Sequence, residues 1–280
     1  MHKIIIKSTS LLFSVLAITS LAAAPALAAK PVHAGGKPGG GGGGSTSTPT
    51  LLGNDVSWPQ CKSTLPSGQA FAIVGVNDGL ANGTNPCLSQ QLDWAAKSAG
   101  GTGQPNVTLY VNTANPGLAG SWWPTSNTYN GQTVTNPYGT CAGANDQACA
   151  YMYGYGRAYE DANIRGVSNP GSYLWWLDVE TINTWQTDKV ANQADLEGMT
   201  TYFHSIGAEV GLYSTTYQWG QLIGNVPATS NLYNLPSWIP GSRNEKAAKD
   251  ACSSSPLTAG SQVTLTQFVS KSLDYDYSCI

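Results

Sequence analysis

Seven short runs of β-branched and aromatic residues recur through this 280-residue chain, and helical patterns separate the earlier runs. The runs lie at residues 55–57, 71–76, 107–111, 173–179, 210–213, 235–239 and 263–268. The helical patterns lie near residues 88–98, 147–165 and 191–206. Strands that alternate with helices form right-handed βαβ units and a parallel sheet. About seven strands, with no Gly-x-Gly-x-x-Gly after the first, favour a closed TIM-type (β/α) barrel over an open doubly wound sheet.

The helical patterns become rare after residue 225, where the runs follow one another with short connections. We therefore predict an α/β barrel whose C-terminal third is poor in helices. Residues 113–146, rich in Asn, Gly, Pro and Thr, form a long insertion after the third run. Long loops at the mouth of a barrel commonly shape a binding cleft, so we expect the insertion to border one.

Three regions of different composition divide the chain. Residues 1–28 resemble an export signal, with lysines before an apolar stretch and Ala-Leu-Ala at the end. Residues 29–50 are dominated by glycine, serine and threonine and predict a flexible linker. Residues 51–280 predict one domain, because no further linker interrupts them. We expect a secreted, extracellular monomer without a membrane span, and whether it stays associated with the cell wall is left open.

The charge of the predicted domain argues against one class of partner. Residues 51–280 contain all 16 acids but only nine of the 13 lysines and arginines, a formal charge of −7. Nucleic-acid binding requires a basic face, so we do not expect a nucleic-acid partner.

All six cysteines lie in the predicted domain, and an even number in an exported protein favours disulfides. The pairing that closes the shortest loops joins Cys61 to Cys87, Cys141 to Cys149, and Cys252 to Cys279. No Cys-x-x-Cys occurs, which disfavours a zinc cluster.

Histidine usage excludes further site classes. His204 is the single histidine of the predicted domain, and it falls beside the buried stripe of a helical pattern. A histidine-rich metal site is therefore not expected, and a Ser-His-Asp triad would depend on this one surface residue. We predict no metal and no organic cofactor.

The fourth run ends in two acids, Asp178 and Glu180, directly after Trp-Trp-Leu. Side chains two apart on a strand point the same way, so these carboxyls are expected side by side where the strand stops being apolar. Such a pair has separated pKa values, as a general acid beside an ionised partner requires. The alternative is a strand end with two solvated acids.

Other polar side chains lie at the ends of the predicted strands. In a parallel barrel the C-terminal ends of all strands lie at one face. Asp55 lies in the first run, Tyr213 ends the fifth, and Asp274 and Asp276 follow the last. Four or five acids are therefore expected to converge on one mouth.

The aromatic residues indicate a half-wet surface. The chain has nine Trp and 14 Tyr but four Phe, and rings with a polar group suit sugar-binding clefts. Trp58, Trp122, Trp123 and Trp185 fall on predicted loops after strands. Tyrosines 151, 155 and 159 have helical spacing and are interpreted as core packing.

Four segments resemble glycoside hydrolase family 25, lysozymes that cut peptidoglycan between N-acetylmuramic acid and N-acetylglucosamine. Residues 53–57, Gly-Asn-Asp-Val-Ser, are similar to the family's Gly-x-Asp-Val-Ser opening, and residues 176–180 to its Asp-x-Glu strand. Residues 211–214, Gly-Leu-Tyr-Ser, resemble its Gly-x-Tyr-Thr strand, and residues 265–268 its Trp-Gln-Tyr strand. The family's barrel, with a helix-poor last third, agrees with the pattern above.

The resemblance implies catalytic roles for four acids. Glu180 would protonate the glycosidic oxygen, and Asp178 would stabilise developing positive charge or orient the N-acetyl group of the substrate. Asp55 and Asp276 would support them, with Asp274 as the other candidate for the closing acid. An oxocarbenium-like transition state requires one protonated and one ionised carboxyl.

The run endings, loop positions and resemblance together give a set of substrate-binding candidates. These are Trp58, Tyr110, Asn112, Trp185, Tyr213, Gln267 and Asp274. The family's Tyr-His-Phe signature is missing, and Tyr110 and Asn112 stand in its place. The expected function is a secreted muramidase-like glycosidase acting on peptidoglycan or a related glycan. The alternative is a cell-wall or glycan-binding barrel that no longer catalyses.

Overall fold

A computed structural model describes residues 51–280, so the predicted leader and linker lie outside the described residues. The strands are β1 Leu52–Val56, β2 Ala72–Gly75, β3 Val107–Asn112, β4 Thr128–Tyr129, β5 Gln132–Thr133, β6 Leu174–Asp178, β7 Glu209–Tyr213, β8 Ser237–Ser242, β9 Val263–Ser270 and β10 Leu273–Ser278. The α-helices are α1 Leu88–Ala95, α2 Gln147–Asn163, α3 Lys189–Ser205, α4 Thr216–Leu222 and α5 Glu245–Ala251.

Eight of these strands close into a barrel in the order β1-β10-β9-β8-β7-β6-β3-β2. Neighbouring strands are parallel except around β10, which is antiparallel to both β9 and β1. The predicted (β/α) barrel is therefore confirmed. Strand β10 was not predicted, and the expectation that residues 274–276 follow the last strand is wrong, since they lie within β10.

The β9–β10 connection explains that error. Lys271 and Ser272 form the whole turn, and both have positive φ, 51° and 64°. Two such residues make the primed turn whose twist suits a hairpin. Turns of this kind are usually marked by Asn-Gly or Asp-Gly, and the aspartates of β10 are uncommon in strands. The sequence therefore has neither an Asn-Gly or Asp-Gly turn nor a typical strand composition to mark this hairpin.

The helices follow the predicted distribution. α1, α2 and α3 occupy the three predicted helical patterns, and α4 and α5 have only seven residues each. The β9–β10 connection contains no helix at all. The helix-poor C-terminal third is therefore confirmed, and the two short helices were below the length at which periodicity identifies a helix.

Consecutive tryptophans on β6 supply two different cores. Trp176 points into the barrel with Phe71, Ile73, and Trp238, and its ring centroid lies 5.7 Å from that of Trp238. Trp175 points outward and stacks on Phe203 of α3, 4.5 Å between centroids. This alternation fixes the register of β6 and so the direction in which Asp178 points.

The insertion at residues 113–146 packs against α2. Trp122 stacks on Tyr153 at 5.7 Å, and the hydroxyl of Tyr129 donates to Glu160 at 3.0 Å. The tyrosine stripe of α2 also packs internally, as Tyr155 against Tyr202 of α3 shows. The stripe is therefore core, as interpreted from its spacing.

Three disulfides are present in the described residues. They join Cys61 to Cys87, Cys141 to Cys149, and Cys252 to Cys279, the same pairs that close the shortest loops. None of the helices between residues 51 and 280 has the length and apolar character needed to cross a membrane.

Candidate active site

A polar cavity of about 230 Å³ opens at the barrel end where the parallel strands finish. Its lining residues are Asp55, Ser57, Trp58, Pro59, Gly79, Tyr110, Asn112, Asp178, Glu180, Tyr213, Trp238, Gln267 and Asp274. Four carboxyl side chains from three distant segments of the chain meet here. The convergence of acids expected from the sequence is therefore present at this mouth.

The strand register brings these acids together. Asp178 is the last residue of β6 and lies between Asn112 of β3 and Tyr213 of β7. Asp274 stands opposite Asp55, because β10 runs antiparallel and its first residues lie beside the end of β1. An antiparallel last strand thus presents its beginning, not its end, to the site.

Asp55 is a buried carboxyl with an anchored oxygen. Gln267 donates from Nε2 to Asp55 Oδ2 at 2.9 Å, and Tyr213 donates its hydroxyl to Gln267 Oε1 at 3.0 Å. Burial, followed by the charge of Asp274, raises the pKa of Asp55 to about 7, although the Gln267 hydrogen bond acts in the opposite direction. Asp55 therefore changes charge near neutral pH.

Asp178 is buried, whereas Glu180 is partly exposed. Burial, followed by the charges of Glu180 and Asp55, raises the pKa of Asp178 well above its ordinary value. Its Oδ1 has no hydrogen-bond partner among the described residues. The pair thus consists of an inner carboxyl with an unused oxygen and an outer carboxyl at the cavity opening.

Asp276 does not line the cavity, in contrast to the expectation that it closes the site. It lies two residues deeper on β10 than Asp274 and is fully buried. Burial and the neighbouring Asp55 raise its pKa well above the ordinary value. Asp274 is the acid of β10 that borders the cavity, while Asp276 lies behind Asp55 in the barrel.

Aromatic side chains form part of the wall. Trp58 is 47% exposed and lies over Gly79, whose φ is +91° and where an added Cβ would be 2.7 Å from Trp58 Nε1. Burial, then nearby carboxyl charges, raises the pKa of Tyr110 and Tyr213, so both hydroxyls keep their protons. Of the substrate-binding candidates, all but Trp185 line the cavity.

Trp185 supports the loop after β6 instead. Its Nε1 donates to the backbone carbonyl of Glu180 at 2.9 Å. Neither Trp185 nor any residue of the 113–146 insertion lines this cavity, so their expected place in a substrate cleft stays a prediction. Trp122 and Trp123 belong to that insertion and stack on Tyr153.

Four lining residues were not among the candidates: Ser57, Pro59, Gly79 and Trp238. Ser57 and Pro59 flank Trp58, so their proximity could have been inferred from the first strand end. Trp238 belongs to a run that was predicted only to be a strand, and the direction of its side chain depends on the barrel register.

No metal-binding arrangement is found between residues 51 and 280, where no three His, Cys, Asp or Glu side chains are grouped to hold an ion. His204 is exposed in the last turn of α3, and it does not line the cavity.

Comparison with known proteins extends these observations. The family model named Lysozyme-like protein 1 matches residues 162–249, a segment that includes Asp178 and Glu180. A Dictyostelium discoideum protein named Probable GH family 25 lysozyme 4 is 27% identical over 174 residues, covering 60% of this chain and 70% of the relative. The chain is a distant relative of the family 25 lysozymes.

Two further matches agree with that relationship. Lysozyme-like protein 5 of Caenorhabditis elegans is 34% identical to this family 25-like chain over 85 residues, 30% of this chain and 34% of the relative. The solved structure of a muramidase from Trichobolus zukalii has a TM-score of 0.52 and 18% identity, covering 82% of this chain and 93% of that one. At this identity the structural match establishes the barrel fold.

Proposed function

We propose that this chain is a secreted glycosidase that hydrolyses cell-wall peptidoglycan by carboxylate acid catalysis, in the manner of a muramidase. One observation carries the proposal: Asp55, Asp178, Glu180 and Asp274 line a single cavity in a relative of family 25 lysozymes. In this proposal residues 1–28 direct export, residues 29–50 are the linker, and residues 51–280 are the catalytic domain.

Glu180 is proposed as the general acid. It is the partly exposed member of the Asp178–Glu180 pair, so the bridging oxygen of an incoming glycan can reach it. Donation of its proton to that oxygen lets the leaving sugar depart as an alcohol. Proton donation of this kind typically accelerates a reaction by about 10² to 10⁴.

Asp178 is proposed to orient the N-acetyl group of the substrate. Asp178 lines the cavity beside Glu180, and its carboxyl can accept a hydrogen bond from the amide N–H of an N-acetyl sugar that enters there. Orientation of that amide places its carbonyl oxygen near the anomeric carbon, so the substrate can provide its own nucleophile.

Asp55 and Asp274 are proposed to stabilise the transition state electrostatically. An oxocarbenium-like transition state carries positive charge, and fixed carboxylates in a partly dry cavity favour it more than water does. Gln267 holds Asp55 by a 2.9 Å hydrogen bond, so no reorganisation of that group is needed. Asp276 supports Asp55 from below.

The test is incubation of the purified protein with cell-wall sacculi, followed by assays of new reducing ends and of protein retained on the sediment. A muramidase releases reducing ends and soluble muropeptides, and reducing analysis shows N-acetylmuramic acid at the new termini. Retention on the sacculi without new reducing ends would replace the enzyme by a glycan-binding barrel.

A further inference from the structure

We infer that Gln218 of α4 is a positioning residue that holds Glu180 in its proton-donating geometry. The inference rests on the proposed function, in which Glu180 is the general acid. Gln218 itself does not line the cavity. It acts through the backbone of Thr181 and the side chain of Glu180, which it contacts.

One side-chain amide contacts two consecutive residues of the loop after β6. Gln218 Oε1 accepts from the backbone N–H of Thr181 at 2.6 Å and from its hydroxyl at 3.0 Å. Gln218 Nε2 donates to Glu180 Oε1 at 3.4 Å. The amide therefore fixes the peptide that follows Glu180 and directs a donor at the carboxyl.

The loop requires such support, because strand pairing stops just before it. β6 ends at Asp178, and the last ladder-like bond is the Val179 N–H to the Tyr213 carbonyl at 2.9 Å. Beyond Thr181 the chain turns outward, and Ile182 is 86% exposed. Trp185 holds the carbonyl of Glu180, and Gln218 holds the next N–H, so the two together fix both groups of that peptide unit.

Gln218 is itself held by a rigid base. Its backbone N–H donates to Thr215 Oγ1 at 3.1 Å, the N-cap bond of α4. Trp219 beside it is 3% exposed, and Lys189 Nζ donates to the Gly220 carbonyl at 2.7 Å. Helix α4 is thus anchored to both the core and the start of α3.

The proton transfer from Glu180 to the leaving group offers a way to measure the positioning role of Gln218 separately. A displacement of about 1 Å at a reacting group can reduce a rate about 10²-fold. A natural sugar leaving group needs the proton from Glu180, whereas a dinitrophenolate leaves without one. A residue that acts only through the general acid should therefore matter for the first substrate and not for the second.

The experiment measures kcat/KM of Gln218→Met on a wall-derived oligosaccharide and on the 2,4-dinitrophenyl glycoside of the same sugar. We expect a tenfold to hundredfold loss on the oligosaccharide and less than a threefold loss on the activated glycoside. Gln221→Met, an exposed glutamine on the same helix, is the matched control and should leave both values unchanged. Equal losses on both substrates, or no loss on either, would overturn the positioning role.

Glu180→Gln, measured on the same two substrates, separates failure of the inference from failure of the proposed function. If Glu180→Gln shows the leaving-group dependence and Gln218→Met does not, Glu180 remains the acid and the positioning role is wrong. If Glu180→Gln shows no such dependence, or the unmodified protein cleaves neither substrate, the acid assignment fails and the positioning role fails with it.

Discussion

Gln267 donates a 2.9 Å hydrogen bond from its side-chain amide to Oδ2 of Asp55, across 212 positions of sequence. The same amide accepts from the hydroxyl of Tyr213, so strands β1, β9 and β7 are joined at the cavity. Because Gln267 uses its carbonyl for Tyr213, only its NH₂ group is available to Asp55. This arrangement orients a donor toward a buried carboxyl and favours the ionised form of that carboxyl.

Gln267→Leu should raise the pKa of Asp55 above its value of about 7, because the substitution removes the donor that favours the charged carboxylate. The measurement is a titration of the side-chain carboxyl carbons by ¹³C NMR. Gln132→Leu, on the exposed strand β5, is the control and should leave the titration unchanged. An Asp55 pKa that stays the same or falls in Gln267→Leu would contradict the claim that this hydrogen bond favours the ionised carboxyl.

Asp55 should make the folded protein less stable as pH rises. Its folded pKa of about 7 exceeds the unfolded value of about 3.9, so its stabilising contribution is complete below pH 4 and is lost as pH rises through about 7. Each pKa unit corresponds to about 1.4 kcal/mol, so Asp55→Asn should gain at least about 1 kcal/mol of unfolding free energy at pH 8 and nothing at pH 4. Urea denaturation at both pH values measures this.

The control for that experiment is Asp93→Asn, which replaces an exposed carboxyl on α1. A gain of equal size at pH 4 and pH 8 in Asp55→Asn would contradict the assigned charge change, because an effect without pH dependence does not come from proton binding. A gain at pH 8 accompanied by loss of glycan cleavage would indicate that the site retains this acid for activity at a cost in stability.

Gly211→Ala should destabilise the barrel by about 1 to 3 kcal/mol, because an added Cβ would lie 2.3 Å from Trp176 Cζ3. Gly220→Ala is the matched control, since no atom lies within 4 Å of its added Cβ and alanine favours helix. Denaturant unfolding should show opposite signs for the two variants. Equal stability of Gly211→Ala and the unmodified protein would mean that the barrel interior is loosely packed around Trp176.

Removal of the Cys61–Cys87 disulfide should cost more stability than removal of Cys141–Cys149. The first closes a loop with a sequence separation of 26 and the second one of 8, and loop-closure entropy predicts losses of about 3.5 and 2.5 kcal/mol. Paired Cys→Ala variants measured by urea unfolding under the same conditions test the order. The reverse order would show that native-state contacts, not loop length, determine the two contributions.

The sequence predicted the features that depend on local pattern. The apolar run before Asp178 identifies a buried strand, and the spacing to Glu180 identifies a shared direction, so the central acids were found without coordinates. The barrel class followed from the alternation of strands and helices, which the eight-stranded closure confirms.

The features that depend on tertiary register were not predictable in the same way. Asp274 and Asp276 point the same way along β10, and only the pairing of Asp274 with Asp55 shows which of them borders the cavity. Trp185 follows a strand, as Trp58 does, yet its indole donates to the Glu180 carbonyl and does not line the cavity. Loop position identifies candidates, and packing decides which of them reach a substrate.

In the proposed mechanism, the carboxyl of Glu180 donates the proton that releases the leaving sugar. The most direct test is the rate of reducing-end release from sacculi by Glu180→Gln, compared with the unmodified protein at equal concentration and with equal unfolding midpoints. We expect a loss of at least about a hundredfold, since general acid catalysis contributes about 10² to 10⁴. Undiminished release by Glu180→Gln would contradict it.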